Sequence, residues 1–300
     1  MPADATCFIC QVGAAGDEYG KPPEGLVRGC ACRGSMGVAH VSCLVRQARL
    51  RSEDSIGQEG SMDVWDVCLL CKQQYHGAVC LALGWACWKE FEPRPQQDEL
   101  RGRATIKLGA ALGRNYKWIE AISVFKAGIY LYEKIHVVAN IQANFGRLLS
   151  LQGNLARCYE SCGRLEEALR IMRTVYRTQR ECNGVDQYTI SYGINLANML
   201  MKNDQIEEAL VLQRENLPLA RELFGPTSNY TLTSTTNYCV SVLAHAKVKG
   251  LSRLDDAERA EYDAVPGLLR EAYATLLQVF GQGHPETVMV RKILVDFGLG

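Results

Sequence analysis

Apolar residues are distributed differently in the two parts of the chain. Residues 1–75 contain no long periodic run of apolar positions and are rich in cysteine and glycine. From about Asp98 onward, apolar and small residues recur with a helical period. Between the two parts, the apolar stretch over residues 76–90 predicts a helix, which Pro93 and Pro95 end because proline lacks an amide hydrogen and restricts the preceding residue. The pattern therefore predicts a small domain over residues 1–75, an apolar helix and proline-containing linker over 76–97, and a helical domain over 98–300.

The helical part repeats itself. The tripeptide Asn-Leu-Ala at Asn154 returns at Asn195, 41 positions further on. The tripeptide Glu-Ala-Leu follows the same offset, from Glu167 to Glu208. Periods of about 20–50 residues indicate a solenoid, in which each unit is a pair of helices and stacked units bury a continuous core. The predicted fold is therefore mainly α, with the small N-terminal domain followed by an α-solenoid of helix-pair repeats.

A connector between the repeat units is also visible. The segment from Phe280 to Thr287 (FGQGHPET) shares its Phe-Gly start with the segment that begins at Phe224. The connector predicts a turn that opens the next helix, with Thr287 as the N-cap, because a threonine oxygen can accept from the first free N–H groups of a helix. These motifs together resemble tetratricopeptide repeats of the long-helix kind found in kinesin light chains, whose unit has about 42 residues.

The resemblance to tetratricopeptide repeats implies a concave groove that binds a protein or peptide ligand. Such grooves are lined by the first helix of each unit. Asparagine side chains suit this role because they donate and accept hydrogen bonds to an extended backbone. The alternative is that the asparagines cap or bridge helices. The groove positions implied by the resemblance are Asn154, Arg157, Asn195, Asn198 and Asn237.

Composition and charge narrow the possible functions. The chain has 33 basic and 33 acidic residues, so it lacks the positive charge typical of nucleic-acid or membrane-surface binding. Its longest apolar run has about ten residues, whereas a membrane-spanning helix needs about twenty. The first residues lack the basic and apolar segments of a signal peptide. We therefore expect a cytoplasmic or nuclear protein, in which clustered cysteines bind metal rather than form disulfides.

Four close pairs of cysteine or histidine dominate the first 75 residues. Their spacings are C-x2-C, C-x-C, H-x2-C and C-x2-C. Thiolates and imidazoles in close pairs are typical of structural zinc sites with four ligands, so the sequence predicts two zinc ions. The alternative, a set of buried free cysteines, does not explain why seven of the thirteen cysteines follow this spacing. The predicted ligands are Cys7, Cys10, Cys30, Cys32, His40, Cys43, Cys68 and Cys71.

The order and spacing of these ligands resemble the RING-CH (RINGv) variant of the RING finger. The resemblance implies a cross-braced arrangement, in which the first and third pairs hold one zinc ion and the second and fourth pairs hold the other. A PHD finger has the same ligand order and remains an alternative. It normally has tryptophan two positions before the seventh ligand, whereas Trp65 lies three positions before Cys68.

The resemblance to RING-CH fingers implies a ubiquitin ligase with no catalytic residue of its own, and the short apolar runs lead us to expect a soluble one. The zinc domain would bind a ubiquitin-conjugating enzyme and the repeats would bind the substrate. Ile9, Leu44 and Lys72 are the candidate contacts to that enzyme. The family usually has an aromatic residue four positions after the sixth ligand, where this chain has Gln47. A non-enzymatic protein-binding scaffold with a structural zinc finger is therefore the alternative.

Overall fold

The computed structural model describes residues 5–16, 23–54, 62–96, 98–139 and 142–298. Helices make up 74% of the structure, and the described residues form eleven α-helices and one two-stranded sheet. The predicted mainly α fold, with a RING-like zinc domain before a helical repeat array, is confirmed. The chain divides into two compact units between Cys162 and Gly163. The predicted boundaries at residues 75 and 97 remain predictions.

The N-terminal part of the first unit has little regular structure. Strand β1 (Leu26–Val27) pairs antiparallel with strand β2 (Ala39–His40), so that Leu26 lies opposite His40. Helix α1 (Val41–Asp54) follows β2 directly. Two short 3-10 turns complete this part, at Gly34–Gly37 and Asp63–Trp65. Elements this short bury little apolar surface, so bonds to a metal are the expected source of further stability.

Four helices follow in the first unit, and each packs against the next one in the chain. Small residues let them approach closely. A Cβ atom on Gly84 would lie 2.6 Å from the Cβ of Ala111, and one on Gly109 would lie 2.4 Å from Cε1 of Phe125. Both distances are too short for a real contact, so these positions require glycine. The helices are α2 (Gly77–Phe91), α3 (Glu99–Arg114), α4 (Trp118–Ala139) and α5 (Gln142–Ser161).

Helix α2 joins the N-terminal part to the helices. Its buried face carries Val79, Leu83 and Cys87. Trp65 is 1% exposed and meets the ring of Phe91 edge to face, with 6.3 Å between the ring centroids. The apolar stretch over residues 76–90 forms the predicted helix, and it packs the N-terminal part onto the following helices.

In the described residues, the second unit contains six helices that pack in chain order, and the last four share one apolar core. Leu210, Leu243 and Leu269 belong to this core, and each is 5% exposed or less. The stacked pairs agree with the helical repeat predicted from the 41-residue offset. The helices are α6 (Leu165–Asn183), α7 (Gln187–Lys202), α8 (Ile206–Phe224), α9 (Asn229–Lys249), α10 (Asp256–Phe280) and α11 (Pro285–Asp296).

The prediction that Thr287 is an N-cap is wrong, because His284 occupies that position in α11. The earlier connector shows the physical reason. Ser228 caps α9 by accepting from the N–H of Thr231, at 3.2 Å. The Thr231 hydroxyl lies one turn inside the helix and donates back to the carbonyl of Gly225, at 2.8 Å. The threonine hydroxyl of this connector therefore stabilises the turn before the helix, and the N-cap is the residue three positions earlier.

Candidate metal centre

The first C-x2-C pair forms a tight hairpin turn. The N–H of Gln11 donates to the carbonyl oxygen of Cys7 at 2.8 Å, and Thr6 and Gly13 form an antiparallel bridge across the turn. Gln11 has a φ of 61°, in the left-handed region. This conformation reverses the chain just after Cys10, so that both thiol groups lie on one side of the turn.

The last C-x2-C pair forms the same turn. The N–H of Lys72 donates to the carbonyl oxygen of Cys68 at 2.9 Å, and Lys72 has a φ of 57°. Val67 and Gln74 form the bridge that closes this hairpin. The two outer ligand pairs therefore have one local geometry, although they belong to different clusters.

Cys7, Cys10, His40 and Cys43 form the first cluster, with their ligand atoms within 4.8 Å of one another. The Nδ1 atom of the fully buried His40 lies 3.5 Å from Sγ of Cys10 and 3.8 Å from Sγ of Cys43. Its Nε2 atom lies 3.3 Å from the carbonyl oxygen of Gly13. A carbonyl oxygen can only accept, so Nε2 carries the proton and Nδ1 presents its lone pair to the cluster.

His40 and Cys43, the third ligand pair, lie at the junction of β2 and α1. His40 ends β2, and Cys43 is the third residue of α1. Residues three apart lie on the same side of a helical turn, so the junction of strand and helix brings both side chains to one point. Ser42 lies between them, and its backbone N–H donates to Oε1 of Glu24 at 2.9 Å. This bond supplies an acceptor for a free N–H of the first helical turn.

Cys30, Cys32, Cys68 and Cys71 form the second cluster, again within 4.8 Å of one another. The Sγ atoms of Cys32 and Cys68 lie 3.8 Å apart. Burial and the neighbouring thiols raise the pKa of Cys32 to about 12. For Cys71, burial acts in the same direction, but hydrogen bonds from the backbone of Gln73 and from Cys32 outweigh it and lower the pKa to about 7. Thiol groups this close together titrate as a coupled set.

Both clusters fit zinc. Tetrahedral coordination with Zn–S bonds of about 2.3 Å requires sulfur atoms about 3.8 Å apart. With a Zn–N bond of about 2.0 Å, a nitrogen and a sulfur should be about 3.5 Å apart. The 3.8 Å between Cys32 and Cys68 and the 3.5 Å between His40 and Cys10 meet these requirements. The two clusters could therefore hold two zinc ions, as the sequence predicts.

The predicted contacts to a conjugating enzyme have different environments. Lys72 is exposed beside the second cluster, and Ile9 is half-buried beside the first. Leu44 is 5% exposed and belongs to the apolar core around Cys7 and Tyr75. The geometry therefore leaves Ile9 and Lys72 as candidate surface contacts, whereas Leu44 has a packing role.

Two of the predicted groove residues lie on α5 in the first unit. The amide nitrogen of Asn154 donates to the carbonyl oxygen of Ser150 within its own helix, at 2.9 Å. Arg157 is exposed. Both line a cleft of about 600 Å³ that is bounded by α3, α4 and α5 and, on one side, by Asp66 and Gln74 of the N-terminal part. The α5 pair therefore faces a real concave surface.

The other predicted groove residues lie in the second unit. Asn195 and Asn198 are half-buried on α7. Asn237 is half-buried on α9, and its amide nitrogen is buried with no hydrogen-bond partner among the described residues. Their role as ligand contacts remains a prediction.

The sequence contains no signal for one part of the site. Lys107 on α3 donates to Asp66 beside the second cluster at 2.7 Å, across 41 positions of chain. Arg114, also on α3, donates to Gln74 at 2.9 Å. Isolated charged residues at such separations follow no motif, so only the packed structure brings them together.

Comparison with known protein families agrees with this architecture. Residues 7–58 match the RING-variant domain, and residues 189–230 match the tetratricopeptide repeat. No curated protein matches the chain. In the described residues, no helix has the length and apolarity that crossing a membrane requires.

Solved structures show the fold of the repeats. One similar crystal structure is that of the nearly identical TPR-like repeats of a putative kinesin light chain from Podosopora anserina, in a point variant. It is 15% identical to this chain, with a TM-score of 0.51, and the match covers 79% of this chain and 95% of that one. A second structure of these repeats is 14% identical, with a TM-score of 0.50 and coverage of 80% and 96%. BtubC (BKLC) from P. vanneervenii is 17% identical, with a TM-score of 0.55 and coverage of 73% and 85%. The chain therefore contains a RING-variant domain and tetratricopeptide-like repeats, as predicted.

Proposed function

We propose that this protein is a RING-type ubiquitin ligase that recruits a ubiquitin-conjugating enzyme through its zinc domain and a protein substrate through its repeats. The observation that carries the proposal is the interleaving of the two clusters. The first and third ligand pairs meet in one cluster, and the second and fourth pairs meet in the other. The RING-variant match over residues 7–58, which covers the first three ligand pairs, supports the proposal.

The zinc ions would have a structural role in this function. Each would be bound by four protein ligands, and a closed coordination sphere leaves no position for substrate. The proposed ligands are Cys7, Cys10, His40 and Cys43 for the first ion, and Cys30, Cys32, Cys68 and Cys71 for the second. Ubiquitin transfer would then be accelerated by positioning alone, because the zinc domain holds the loaded conjugating enzyme in a reactive geometry.

The proposed enzyme-binding surface lies on the two hairpin turns. Ile9 belongs to the first turn and Lys72 follows the last ligand in the second. An apolar side chain and a cation at these places fit the contact surface that the RING-CH resemblance implies. The surface needs no contribution from the buried Leu44.

The proposed substrate site is the concave surface of the repeats. In the first unit it is the cleft of about 600 Å³ that Asn154 and Arg157 line. In the second unit, Asn195, Asn198 and Asn237 are the proposed contacts. Thiolate ligands persist in a reducing compartment, so we also propose a cytoplasmic or nuclear location.

An in vitro ubiquitination assay with a panel of conjugating enzymes tests the proposal. We expect chains to form with the native protein and to disappear with Cys30→Ser, which removes a ligand of the second cluster. Cys182→Ser is the matched control, because Cys182 is exposed on α6 and belongs to neither cluster. Lys72→Glu should weaken transfer without releasing zinc, whereas Lys89→Glu, at an exposed position of α2, should not.

A non-enzymatic scaffold is the second candidate function. Gln47 stands where the family usually has an aromatic contact, and the neighbouring Leu44 is buried. If native mass spectrometry finds two zinc ions and no conjugating enzyme supports transfer, the ligase proposal fails and the scaffold replaces it.

A further inference from the structure

An ion pair connects helix α3 to the hairpin that carries Cys68 and Cys71. The Nζ atom of Lys107 donates to Oδ1 of Asp66 at 2.7 Å and to Oδ1 of Asp63 at 3.0 Å. The side chains of Lys107 and Asp66 are 18% and 13% exposed. Ion pairs this well shielded from water interact more strongly than pairs on an open surface.

A second polar contact between α3 and the hairpin lies about two helical turns further along the helix. The Nη1 atom of Arg114 donates to Oε1 of Gln74 at 2.9 Å, and its Nη2 atom lies 3.6 Å from Oδ2 of Asp66. Lys107 and Arg114 are seven positions apart, so both point from one face of α3 toward the hairpin. Two cations from one helix therefore hold both ends of the same turn.

The turn that presents the thiolates also positions the anchoring residues. Val67 and Gln74 form the bridge that closes the hairpin, and the N–H of Tyr75 donates to the carbonyl oxygen of Asp66 at 2.8 Å. Asp66 therefore immediately precedes this hairpin, and Gln74 lies at its end. The partners of Lys107 and Arg114 thus lie at the two ends of the segment that holds Cys68 and Cys71.

The first cluster is held by hydrogen bonds within the N-terminal part. The N–H of Phe8 in its hairpin donates to the carbonyl oxygen of Val38 at 3.0 Å, and Gly13 accepts from His40. These hydrogen bonds close within residues 5–54 and do not reach α3. The two clusters therefore have unequal ionic and hydrogen-bonded connections to α3, although ligands of both belong to an apolar core that includes Ala111 of α3.

The fastened hairpin also bounds the cleft in the first unit. Asp66 and Gln74 line it on one side, and Asn154 and Arg157 line it from α5. Lys107 and Arg114 form part of the surface between them. The shape and charge of the cleft thus depend on where the hairpin sits.

We propose that zinc in the second cluster is a structural part of this cleft. Zinc bound at Cys30, Cys32, Cys68 and Cys71 and the ordered position of α3 stabilise each other, so that the proposed peptide site of the first unit forms fully only when this cluster is loaded. Zinc in the first cluster has a weaker connection to the cleft. The physical basis is reciprocal linkage: if metal binding favours the anchored hairpin, the anchors must favour metal binding equally.

Stepwise zinc release to a chromogenic chelator tests one direction of the coupling. Cys10→Ser and Cys71→Ser identify which release step belongs to which cluster. We expect Lys107→Met to weaken zinc binding at the second cluster by about 5-fold to 150-fold, the range typical of coupled equilibria, and to leave the first cluster unchanged. Arg101→Met is the matched control, because Arg101 is also on α3 but pairs with Glu92.

Zinc affinities that stay equal in Lys107→Met and the native protein would overturn the proposal, as would an equal loss at both clusters. If Lys107→Met unfolds, the Asp66→Asn variant replaces it, since the amide keeps the shape of the carboxylate and removes its charge. That variant must show the same selective loss at the second cluster.

Hydrogen exchange tests the other direction. We expect Cys71→Ser to accelerate exchange of the α3 amides by at least about 10-fold, Cys10→Ser to accelerate it less, and neither to change exchange in α6–α10. Equal exchange in the two variants would overturn the proposal. It depends on zinc at the proposed ligands but not on ubiquitin transfer. A protein with two zinc ions and no ligase activity would therefore leave it standing, and a protein without zinc would overturn it.

Discussion

The zinc domain and the second unit reach their folded states by different means. Among the described residues of the first 75, the regular structure is one α-helix, two strands of two residues and two short 3-10 turns. Order there depends on eight side chains that converge on two points. The described part of the second unit instead has six helices, of which the last four share a core that includes Leu210, Val242 and Leu276. One region is held by a few directional bonds, and the other by many weak apolar contacts.

Different substitutions should therefore destabilise the two regions. A metal site loses most of its stabilisation when one ligand is removed, because zinc requires four donors at fixed positions. A stacked-helix core spreads its stabilisation over many residues, so a single change removes only a part. Its sensitive positions are those where two helices approach closely and those where a helix begins.

The largest effect should follow removal of a zinc ligand. We expect Cys32→Ser to abolish zinc binding at the second cluster and to disorder the hairpin that carries Cys68 and Cys71, because structural zinc contributes about 10–16 kcal/mol to such folds. Helices α6–α10 should keep their native hydrogen-exchange protection. Native mass spectrometry and hydrogen exchange measure the two outcomes. Loss of protection throughout α6–α10 would contradict the separation drawn between the two regions.

The next effect should come from overpacking in the second unit. A Cβ atom on Gly193 would lie 2.2 Å from Nδ2 of Asn216 and 3.1 Å from Cε2 of Tyr176. We expect Gly193→Ala to lower the free energy of unfolding by about 1–3 kcal/mol. Gly267→Ala is the matched control, because nothing lies within 4 Å of its added Cβ atom. It should raise stability by up to about 1 kcal/mol, since alanine favours a helix more than glycine does.

Loss of a helix cap should have a smaller effect. Asp186 caps α7 by accepting from the N–H of Thr189 at 2.8 Å, and it also accepts from Gln179 at 3.0 Å. We expect Asp186→Ala to lower the free energy of unfolding by about 1–2 kcal/mol, measured by urea denaturation. Asp263→Ala, at an exposed position in the middle of α10, should change it by less than about 0.5 kcal/mol. Similar losses in the two variants would argue against a capping role.

The smallest effect should be a pH dependence in the second unit. Hydrogen bonds from Lys249 and from the backbone of Asp255 lower the pKa of Glu258 from 4.5 to about 2. Because the folded pKa is the lower one, the stabilisation is complete above the unfolded value near 4.5 and is lost as the pH falls toward 2. Glu258→Gln should therefore reduce the pH dependence of unfolding in this window. Unchanged curves for Glu258→Gln and the native protein would show that the ionised carboxylate adds no stability.

Local patterns explain what could be predicted. The C-x2-C spacing allows two thiols to share a metal, and the repeat offset places equivalent residues on equivalent helices, so both features are written in short stretches of sequence. The role of the threonine in each connector could not be predicted from the residue type. Thr287 resembles a cap by residue type, but in the equivalent connector the Thr231 hydroxyl donates to the preceding turn, which only the backbone conformation reveals.

The sequence by itself determined the number of ligand clusters, the residue types in them and the period of the helical repeat, because each depends on residues close together in the chain. The tertiary structure alone decided that Leu44 is buried and that Lys107 meets Asp66 across 41 positions. Spacing restricts the geometry of neighbouring residues only. Contacts between distant segments depend on how whole elements pack, and many sequences with the same motifs could pack them differently.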